Sequence, residues 1–253
     1  MSQEGTQAIR RAVAILTRIA RATEDAPATL SAIATSFDLP KSTVHRILKS
    51  LTDTDLATYD PVTRRYGIGL LCYELGLAVT DRVVDIAGLR SLPERLARKT
   101  GITAYLMRRS GLEAVCLAKA EGTSVIRVMP VDVGQRRLLG AGAGATALLS
   151  ELGDEDVERV LAAIKPELGQ YADLTVENIR ENVAKARAAG YAISDRQVYS
   201  STFGLGMCIP ASVGPPGFAV SLAAYGPDAT PENVREWISV MSSEIARFRD
   251  ERA

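Results

Sequence analysis

Residues 30–66 narrow the possible folds of this chain further than any other segment. Apolar residues recur at helical spacing and stop at Phe37, Asp38 forms a turn, and Leu39-Pro40 opens a second helix at a position that proline tolerates. A hairpin around Asp60-Pro61 follows. Two short helices joined by a sharp turn and followed by a hairpin predict a winged helix-turn-helix.

The second of these helices has an apolar face and a hydrogen-bond donor face. The apolar stripe consists of Val44, Ile47, Leu48 and Leu51. The opposite face has no neighbouring carboxylate and presents donors for phosphates and base edges, namely Lys41, Ser42, Thr43, His45, Arg46 and Lys49. Such a pairing of faces is typical of a recognition helix. We expect Arg46 to contact a guanine, and Ser42 and Thr43 to hold phosphates.

The hairpin carries the adjacent cations Arg64 and Arg65 at its tip, and Tyr59 and Tyr66 flank the turn. A basic wing beside a recognition helix gives a second contact with DNA, and we assign Arg64, Arg65 and Tyr66 to it. The alternative is an ordinary amphipathic helix with a solvated cationic face. Because helix, turn, helix and basic hairpin occur in this order, we favour DNA binding.

Three segments resemble one known family, the isocitrate lyase regulator (IclR) family of bacterial transcription factors. They are the first helix at residues 7–20 (QAIRRAVAILTRIA), the recognition segment at 39–51 (LPKSTVHRILKSL) and the wing at 59–69 (YDPVTRRYGIG). Further matches follow in family order at residues 100–101, 114–122, 142–144 and 190–192. The resemblance therefore covers nearly the whole chain.

The resemblance implies an α+β protein. Its parts would be a winged helix-turn-helix at residues 7–69, a linker helix at 70–87, and a GAF-like effector-binding and oligomerisation domain at 88–253, with a mixed sheet flanked by helices. It further implies a homodimer, or a dimer of dimers, that binds symmetric double-stranded operator DNA and a small-molecule effector. Helical periodicity at residues 70–86 agrees with the linker, although a structural helix of the second domain would give the same pattern.

Residues from 88 onward mix helix and strand patterns. We predict helices at residues 92–99, 144–151, 154–163, 176–189 and 231–252. Alternation and β-branched content predict strands at 103–108, 113–118, 125–131, 191–194, 206–212 and 217–224. Short polar turns join the first three strands, which predicts a meander at the centre of the sheet.

Composition excludes several classes of protein. The 30 basic and 30 acidic residues give zero net charge, so attraction to DNA has to come from local charge asymmetry. No apolar run could cross a bilayer and the polar start lacks the core of a signal peptide, which predicts a cytoplasmic location without membrane contact. Cys72, Cys116 and Cys208 lack the spacing of a zinc or disulfide motif, and we expect neither a metal nor a cofactor.

The glycine-rich run at residues 140–145 (GAGAGA) is not a phosphate-binding loop, because neither G-x-G-x-x-G nor G-K-[ST] completes it. The resemblance places the family's effector loop here, where the N–H groups of Gly142 and Ala143 would meet a ligand. A tight turn before a helix would explain the same residues. The two interpretations are compatible.

The resemblance also implies which residues surround the effector. Where family members that bind small carboxylates have an acid, a thiol and two hydroxyls, this chain has Ser194, Met207, Ala223 and Tyr225. A gap within residues 202–209 leaves the assignment open by one position, towards Asp195 and Cys208. The lost polar groups disfavour glyoxylate and favour a larger apolar or aromatic molecule. The full expected set is Val125, Val128, Gly142, Ala143, Ser194, Asp195, Leu205, Met207, Cys208, Ala223 and Tyr225.

Two other functions remain open at this point. An enzyme of GAF-like fold would use Cys208 or Cys116 as its nucleophile, but the single histidine, His45, lies in the recognition helix and cannot activate either thiol. A ligand-independent DNA-binding or interaction protein is the other alternative, and a small molecule that raises the melting temperature would exclude it. We expect a regulator without enzymatic activity.

Overall fold

The computed structural model of the protein describes residues 3–80, 86–126, 128, 131–171, 174–196 and 201–250. The chain divides into two compact units, residues 1–85 and residues 86–253. The first unit is mainly helical and the second combines a six-stranded sheet with helices, which confirms the α+β prediction. Within the described ranges no helix is long and apolar enough to span a membrane.

The N-terminal unit is the predicted winged helix-turn-helix. It consists of helices α1 (Gln3–Ala20), α2 (Leu30–Ser36) and α3 (Lys41–Asp53), the hairpin strands β1 (Ala57–Asp60) and β2 (Arg65–Ile68), and helix α4 (Leu70–Thr80). Its core includes the fully buried Ile15 of α1, Ile33 of α2, and Val44 and Leu48 of α3. The apolar stripe of α3 therefore faces the core and leaves the donor face outside.

Asp38 makes the sharp turn between α2 and α3 possible. Its φ of 49° lies in the left-handed region, which a short polar side chain tolerates. The Leu39 N–H donates to the Ala34 carbonyl at 3.1 Å and closes the end of α2. At the other end, the Thr29 hydroxyl accepts a hydrogen bond from the Ala32 N–H at 3.2 Å. Local chemistry therefore sets both ends of this short helix.

The C-terminal unit is built on one sheet. Its strands are β3 (Thr103–Ser110), β4 (Glu113–Ala120), β5 (Arg136–Leu138), β6 (Ala192–Asp195), β7 (Thr202–Cys208) and β8 (Phe218–Tyr225), in the spatial order β5-β4-β3-β8-β7-β6. The helices are α5 (Ile86–Thr100), α6 (Ala143–Ser150), α7 (Asp154–Ile164), α8 (Val176–Ala189) and α9 (Pro231–Asp250), with 3-10 turns at Lys165–Gln170 and Gly226–Asp228. All strand pairs in the described ranges are antiparallel. The prediction of a mixed sheet is therefore wrong.

Helices cover both faces of this sheet. On one face α6 approaches closely because β7 contains glycines, and a Cβ on Gly206 would lie 2.4 Å from the carbonyl oxygen of Ala143. On the other face lies α9, with the rings of Trp237 and Phe203 6.3 Å apart. A core on the α6 side includes side chains of α7 and α8. Successive β7 side chains alternate between the two faces.

The strand predicted at residues 125–131 is wrong where the structure describes it. Val125 and Ile126 are exposed and form a bend, because the edge of β4 pairs with β5 instead. β-branched content favours a strand only where a neighbouring strand is available. The strand predicted at residues 206–212 is shifted to Thr202–Cys208, and the helix predicted at 92–99 begins at Ile86. Of the predicted linker helix, residues 81–85 lie outside the described residues.

Candidate DNA-binding surface and effector cavity

Helix α3 presents its donor face to solvent. Five of the six predicted side chains are exposed and Thr43 is half-buried. The face has two flanks: His45 and Lys49 border a hollow beside the β1-β2 wing, whereas Thr43 and Arg46 border a hollow beside α1. In the described part of the chain, Lys41 and Arg46 form no ion pair. The predicted donors therefore lie on both flanks of the helix.

Lys49 has an acidic neighbour, which contradicts the expectation of a face without carboxylates. Its Nζ lies 3.0 Å from Oδ2 of Asp53, one turn later, and both side chains are largely exposed. An exposed pair four residues apart on a helix stabilises by only about 0.3–0.5 kcal/mol. A phosphate group can therefore replace Asp53 as the partner of Lys49.

The tip of the wing is held in shape by Asp60. Its carboxylate accepts hydrogen bonds from the Val62 N–H at 2.8 Å and from the Thr63 hydroxyl at 2.6 Å. These bonds lower the pKa of Asp60 below its ordinary value, and the hydrogen bond from Thr63 has the largest effect. Arg64, with φ of 55°, and Arg65 are exposed beside this turn. Because Asp60 is engaged in the turn, the two cations remain available for phosphates.

The wing is fastened beside α3. The Tyr66 N–H donates to the Ala28 carbonyl at 2.8 Å, which ties β2 to the segment before α2. The paired rings of Tyr59 and Tyr66 lie 4.8 Å apart. The hollow between α3 and the wing is lined by residues of both, and also by Thr29 and Ser31. Sequence analysis missed these two, although the helix-start pattern at Thr29 marks their position.

The C-terminal unit contains a cavity of about 70 Å³ beside the first turn of α6. The predicted residues Gly142, Ala143, Ser194 and Ala223 line it. Gly142, with φ of 90°, precedes α6 without a side-chain cap, so the first N–H groups of the helix lack intrahelical partners. Such groups attract the negative end of a ligand.

Alternation along β7 directs other predicted residues away from the cavity. Met207 lies on the α9 face, with its Sδ 3.8 Å from the Ser242 hydroxyl, and Leu205 shares that face. Cys208 lies on the α6 face but outside the cavity lining, with its Sγ 2.9 Å from the Ala147 carbonyl oxygen. A shift of one residue exchanges the two faces of a strand. An alignment with a gap in β7 therefore could not place these side chains.

The remaining predicted effector residues lie apart from the cavity lining. Asp195 and Tyr225 line a separate hollow, near Ser201. Val125 is fully exposed. The Val128 carbonyl oxygen accepts a weak hydrogen bond from the Tyr105 hydroxyl at 3.4 Å. The structure therefore brings four of the eleven predicted residues together at the cavity.

The cavity also has polar lining residues that sequence analysis did not single out, namely Tyr105, Arg137, Thr202 and Ser221. Burial raises the pKa of Tyr105 well above its ordinary value, so its phenol stays protonated. These four residues belong to β3, β5, β7 and β8, which are far apart in the sequence. They meet only once the sheet has formed, and no local pattern marks them.

The thiols of Cys116 and Cys208 are not activated nucleophiles. Burial raises the pKa of Cys116 to about 11. Burial, and then the charge of Glu151, raises the pKa of Cys208 further still. Both thiols are therefore protonated at neutral pH, whereas an attacking cysteine has to be a thiolate. Among the described residues no group of three or more His, Cys, Asp or Glu side chains is suited to a metal ion.

Comparison with known proteins gives the same assignment for both units. Residues 8–61 match the family described as the IclR helix-turn-helix domain, and residues 82–241 match the family described as bacterial transcriptional regulator IclR C-terminal. The HTH-type transcriptional repressor AllR of Klebsiella pneumoniae is 28% identical over 236 residues, which are 91% of this chain and 84% of AllR.

Solved structures share the fold. The crystal structure of an IclR transcriptional regulator from Alicyclobacillus acidocaldarius has a TM-score of 0.77 at 22% identity, over 96% of this chain and 98% of that one. An IclR homolog from Microbacterium hydrocarbonoxydans, crystallised in complex with 4-hydroxybenzoate, has a TM-score of 0.68 at 20% identity, over 95% and 99%. At these identities the likeness concerns the fold alone.

Proposed function

The chain belongs to the IclR family of bacterial transcriptional regulators, and from this premise we propose which surfaces it uses to bind DNA and to sense an effector. The protein is a DNA-binding regulator and not an enzyme. One observation supports the DNA surface above all others: His45 and Lys49 of α3 border the same hollow as Arg64 of the wing. In this arrangement α3 enters the major groove and the DNA backbone beside the groove lies against the wing.

Each residue type on this surface has a role in the proposal. Arg46 and His45 contact base edges, because only long or planar donors reach them from a helix in the groove. Phosphates are held by Lys41, Ser42, Thr43, Lys49, Arg64, Arg65 and Tyr66. Since the chain has zero net charge, these local cations supply the electrostatic attraction to DNA.

We propose that two copies bind symmetric half-sites as a homodimer, and that dimers can pair further. Large apolar side chains are exposed on α1 and α4, namely Ile9, Val13, Tyr73, Leu75 and Leu77. Exposed apolar side chains on these two helices support an association surface. A regulator of chromosomal operators acts in the cytoplasm, where we place it. Sedimentation of the full-length chain should give at least twice the monomer mass.

We propose that the cavity beside α6 binds a small molecule with an apolar or aromatic body, and that binding alters operator affinity. Small and apolar side chains form most of its wall, and the unpaired N–H groups of α6 offer donors to a polar end. The complex of the Microbacterium homolog with 4-hydroxybenzoate supports an aromatic effector. Gly142, Ala143, Ser194 and Ala223 are the residues that we retain from the expected set.

Fluorescence anisotropy with DNA from the protein's own upstream region tests the regulator. Binding at physiological salt should be about a thousandfold or more tighter than to random DNA of equal length, as for other specific binders. A footprint with two symmetric halves should accompany it. Equal affinity for both DNAs would contradict operator recognition.

A further inference from the structure

His45 lies on the flank of α3 that borders the wing, in a row of cations. Lys41 and Lys49 are four residues before and after it, the spacing at which side chains share one face of a helix. Arg64 of the wing borders the same hollow as His45 and Lys49. His45 is also the single histidine of the chain. Histidine is the side chain that gains or loses its charge in the neutral pH range, so the charge of this row can change with pH.

The hollow between α3 and the wing offers His45 no carboxylate among the described residues. Its other lining residues are Lys49 and Thr52 of α3, Tyr59, Thr63, Arg64 and Tyr66 of the wing, and Thr29, Leu30 and Ser31 at the start of α2. Burial raises the pKa of Tyr66, so its phenol is uncharged at neutral pH. Asp53 is paired with Lys49, and Asp60 is engaged in the turn of the wing. A protonated His45 therefore has cations and neutral groups around this hollow.

The imidazole of His45 is exposed, and it forms no hydrogen bond or ion pair with the described part of the chain. A neutral imidazole has one N–H donor, whereas the protonated ring has two. Guanine presents two acceptors in the major groove, and the phosphates add further acceptors and negative charge. DNA on this surface therefore favours the protonated ring over the neutral one.

The free protein and the DNA complex differ in the charges that surround His45. In the free protein its charged neighbours across the hollow are cations, which do not stabilise a further positive charge. In the complex, phosphates and base acceptors would stabilise it. A group that holds its proton more tightly in a complex contributes affinity that is fully present at low pH and is lost as pH rises. Affinity for the operator should therefore decrease with increasing pH.

We propose that operator binding takes up a proton at His45 of each DNA-bound recognition helix, so that the protein releases its operator more readily as pH rises through neutrality. The protonated ring donates to a base edge with one nitrogen and to a second acceptor with the other. Lysine and arginine keep their charges in this range, so Lys41, Lys49 and Arg64 supply attraction that does not depend on pH. This inference rests on the proposed DNA surface and makes pH a second signal beside the effector.

Fluorescence anisotropy of the full-length protein with a duplex from its own upstream region, at constant ionic strength, tests the proton uptake. Between about pH 6 and about pH 8, affinity should decrease on the order of tenfold for each half-site, as expected when a charge-assisted hydrogen bond is lost. His45→Gln keeps a polar side chain without a titratable group, and its affinity should not change with pH. Lys49→Gln, on the same flank of α3, is the matched control: it should bind more weakly at every pH and retain the decrease.

Salt dependence distinguishes a charge on His45 from a structural role. The slope of log K against log salt should be steeper at about pH 6 than at about pH 8, by up to about 0.9 for each half-site, because one more cation releases a counterion. In His45→Gln the two slopes should be equal. His45→Lys carries its charge throughout this range and should give equal slopes too. His45 is exposed, so both variants should fold, and their melting temperatures check this.

Calorimetric titration near neutral pH, in two buffers of different ionisation enthalpy, counts the protons directly. A tenfold effect corresponds to about half a proton taken up for each half-site. An affinity that is the same at both ends of the pH range, or a decrease that persists in His45→Gln, would overturn the inference.

A parallel titration with random DNA separates this inference from the proposed function. If the protein prefers its upstream DNA at every pH and its affinity does not change with pH, operator recognition stands and the proton uptake is wrong. If it does not distinguish the two DNAs at any pH, the proposed DNA surface is wrong and the inference fails with it.

Discussion

Arg46 is the exposed arginine on the α1 flank of the recognition helix, and it forms no ion pair within the described residues. Arg46→Ala should therefore cost about 1–3 kcal/mol of specific operator binding, as the removal of a bidentate hydrogen bond to guanine does. Binding to random DNA should change much less. Gel-shift titration with operator and random DNA measures both affinities. Arg235→Ala is the control, because Arg235 is exposed on α9. An equal loss on both DNAs would identify Arg46 as a phosphate contact.

Gly206 is the residue that lets α6 rest on β7. A Cβ at this position would lie 2.4 Å from the Ala143 carbonyl oxygen, and backbone cannot move aside as a flexible side chain can. Gly206→Ala should lower the free energy of unfolding by about 1–3 kcal/mol, the usual cost of overpacking. Gly169→Ala is the control, because a Cβ there has no neighbour within 4 Å. Denaturant unfolding measures the free energy of unfolding of both variants. If Gly206→Ala is as stable as Gly169→Ala, α6 is free to shift.

At the scale of the element, the wing depends on the Asp60 turn for its shape and on Arg64 and Arg65 for its charge. Replacing both arginines by alanine should weaken binding to every DNA sequence. The slope of log K against log salt should become shallower by about 0.9 for each phosphate that the wing no longer neutralises. Replacing both by lysine keeps the charge and should leave the slope intact. If the alanine variant keeps the original slope, the wing does not reach DNA.

A buried ion cluster joins helices α5 and α9. Glu244 of α9 is 1% exposed, and its carboxylate oxygens lie 2.7 Å from Lys99 Nζ and 2.8 Å from Arg95 Nε of α5. Burial acts to raise the pKa of Glu244, but the hydrogen bond from Lys99 and the charges of Lys99, Arg95 and Arg247 together lower it below its ordinary value. The carboxylate is therefore more acidic in the folded protein than in the unfolded chain.

This shift predicts how stability depends on pH. A lowered folded-state pKa contributes stability that is present above the unfolded value of 4.5 and is lost as pH falls through the folded value. Glu244→Gln should remove that part of the acid-side loss, so its stability profile should be flatter below the unfolded pKa. At neutral pH the variant should be less stable by roughly 1–3 kcal/mol, since Arg95 loses its partner carboxylate. Parallel profiles of the two proteins from pH 3 to 7, about the range in which carboxyls titrate, would contradict this assignment.

At the scale of the whole molecule, the proposed function gives the two units separate tasks, so one should be blocked without the other. Ala223 lines the cavity and stands opposite Gly204, so the ring in Ala223→Phe should fill the space that the ligand would occupy. A bound ligand at a hundredfold excess over its Kd stabilises the folded state by about 2.7 kcal/mol. Ala223→Phe should abolish the corresponding rise in melting temperature and leave DNA binding intact.

Tyr225→Phe is the matched control for this experiment, because Tyr225 lines the separate hollow near Ser201. It should retain the ligand-induced rise in melting temperature. A ligand response that persists in Ala223→Phe, or one that disappears in Tyr225→Phe, would place the effector outside the cavity beside α6.

The DNA-binding unit could be predicted from the order of its residues alone. Helical spacing, the Asp38 turn and the Asp60-Pro61 hairpin act over a few residues, so each can be recognised without knowledge of distant segments. The donor face of α3 follows directly from its apolar stripe. Lys49 and Asp53 are four residues apart, the spacing at which side chains on a helix meet. This ion pair could therefore have been predicted from the sequence, and the expectation of a face without carboxylates overlooked it.

The effector cavity depended on contacts between distant segments. Gly142 and Ala143 lie in one glycine-rich turn and could be placed locally, whereas Met207 and Cys208 lie on opposite faces of β7, and a shift of one residue exchanges those faces. Arg137 enters the cavity because β5, and not the β-branched stretch before it, pairs with β4. Strand pairing joins residues far apart in the chain, and only the folded sheet specifies which of them meet.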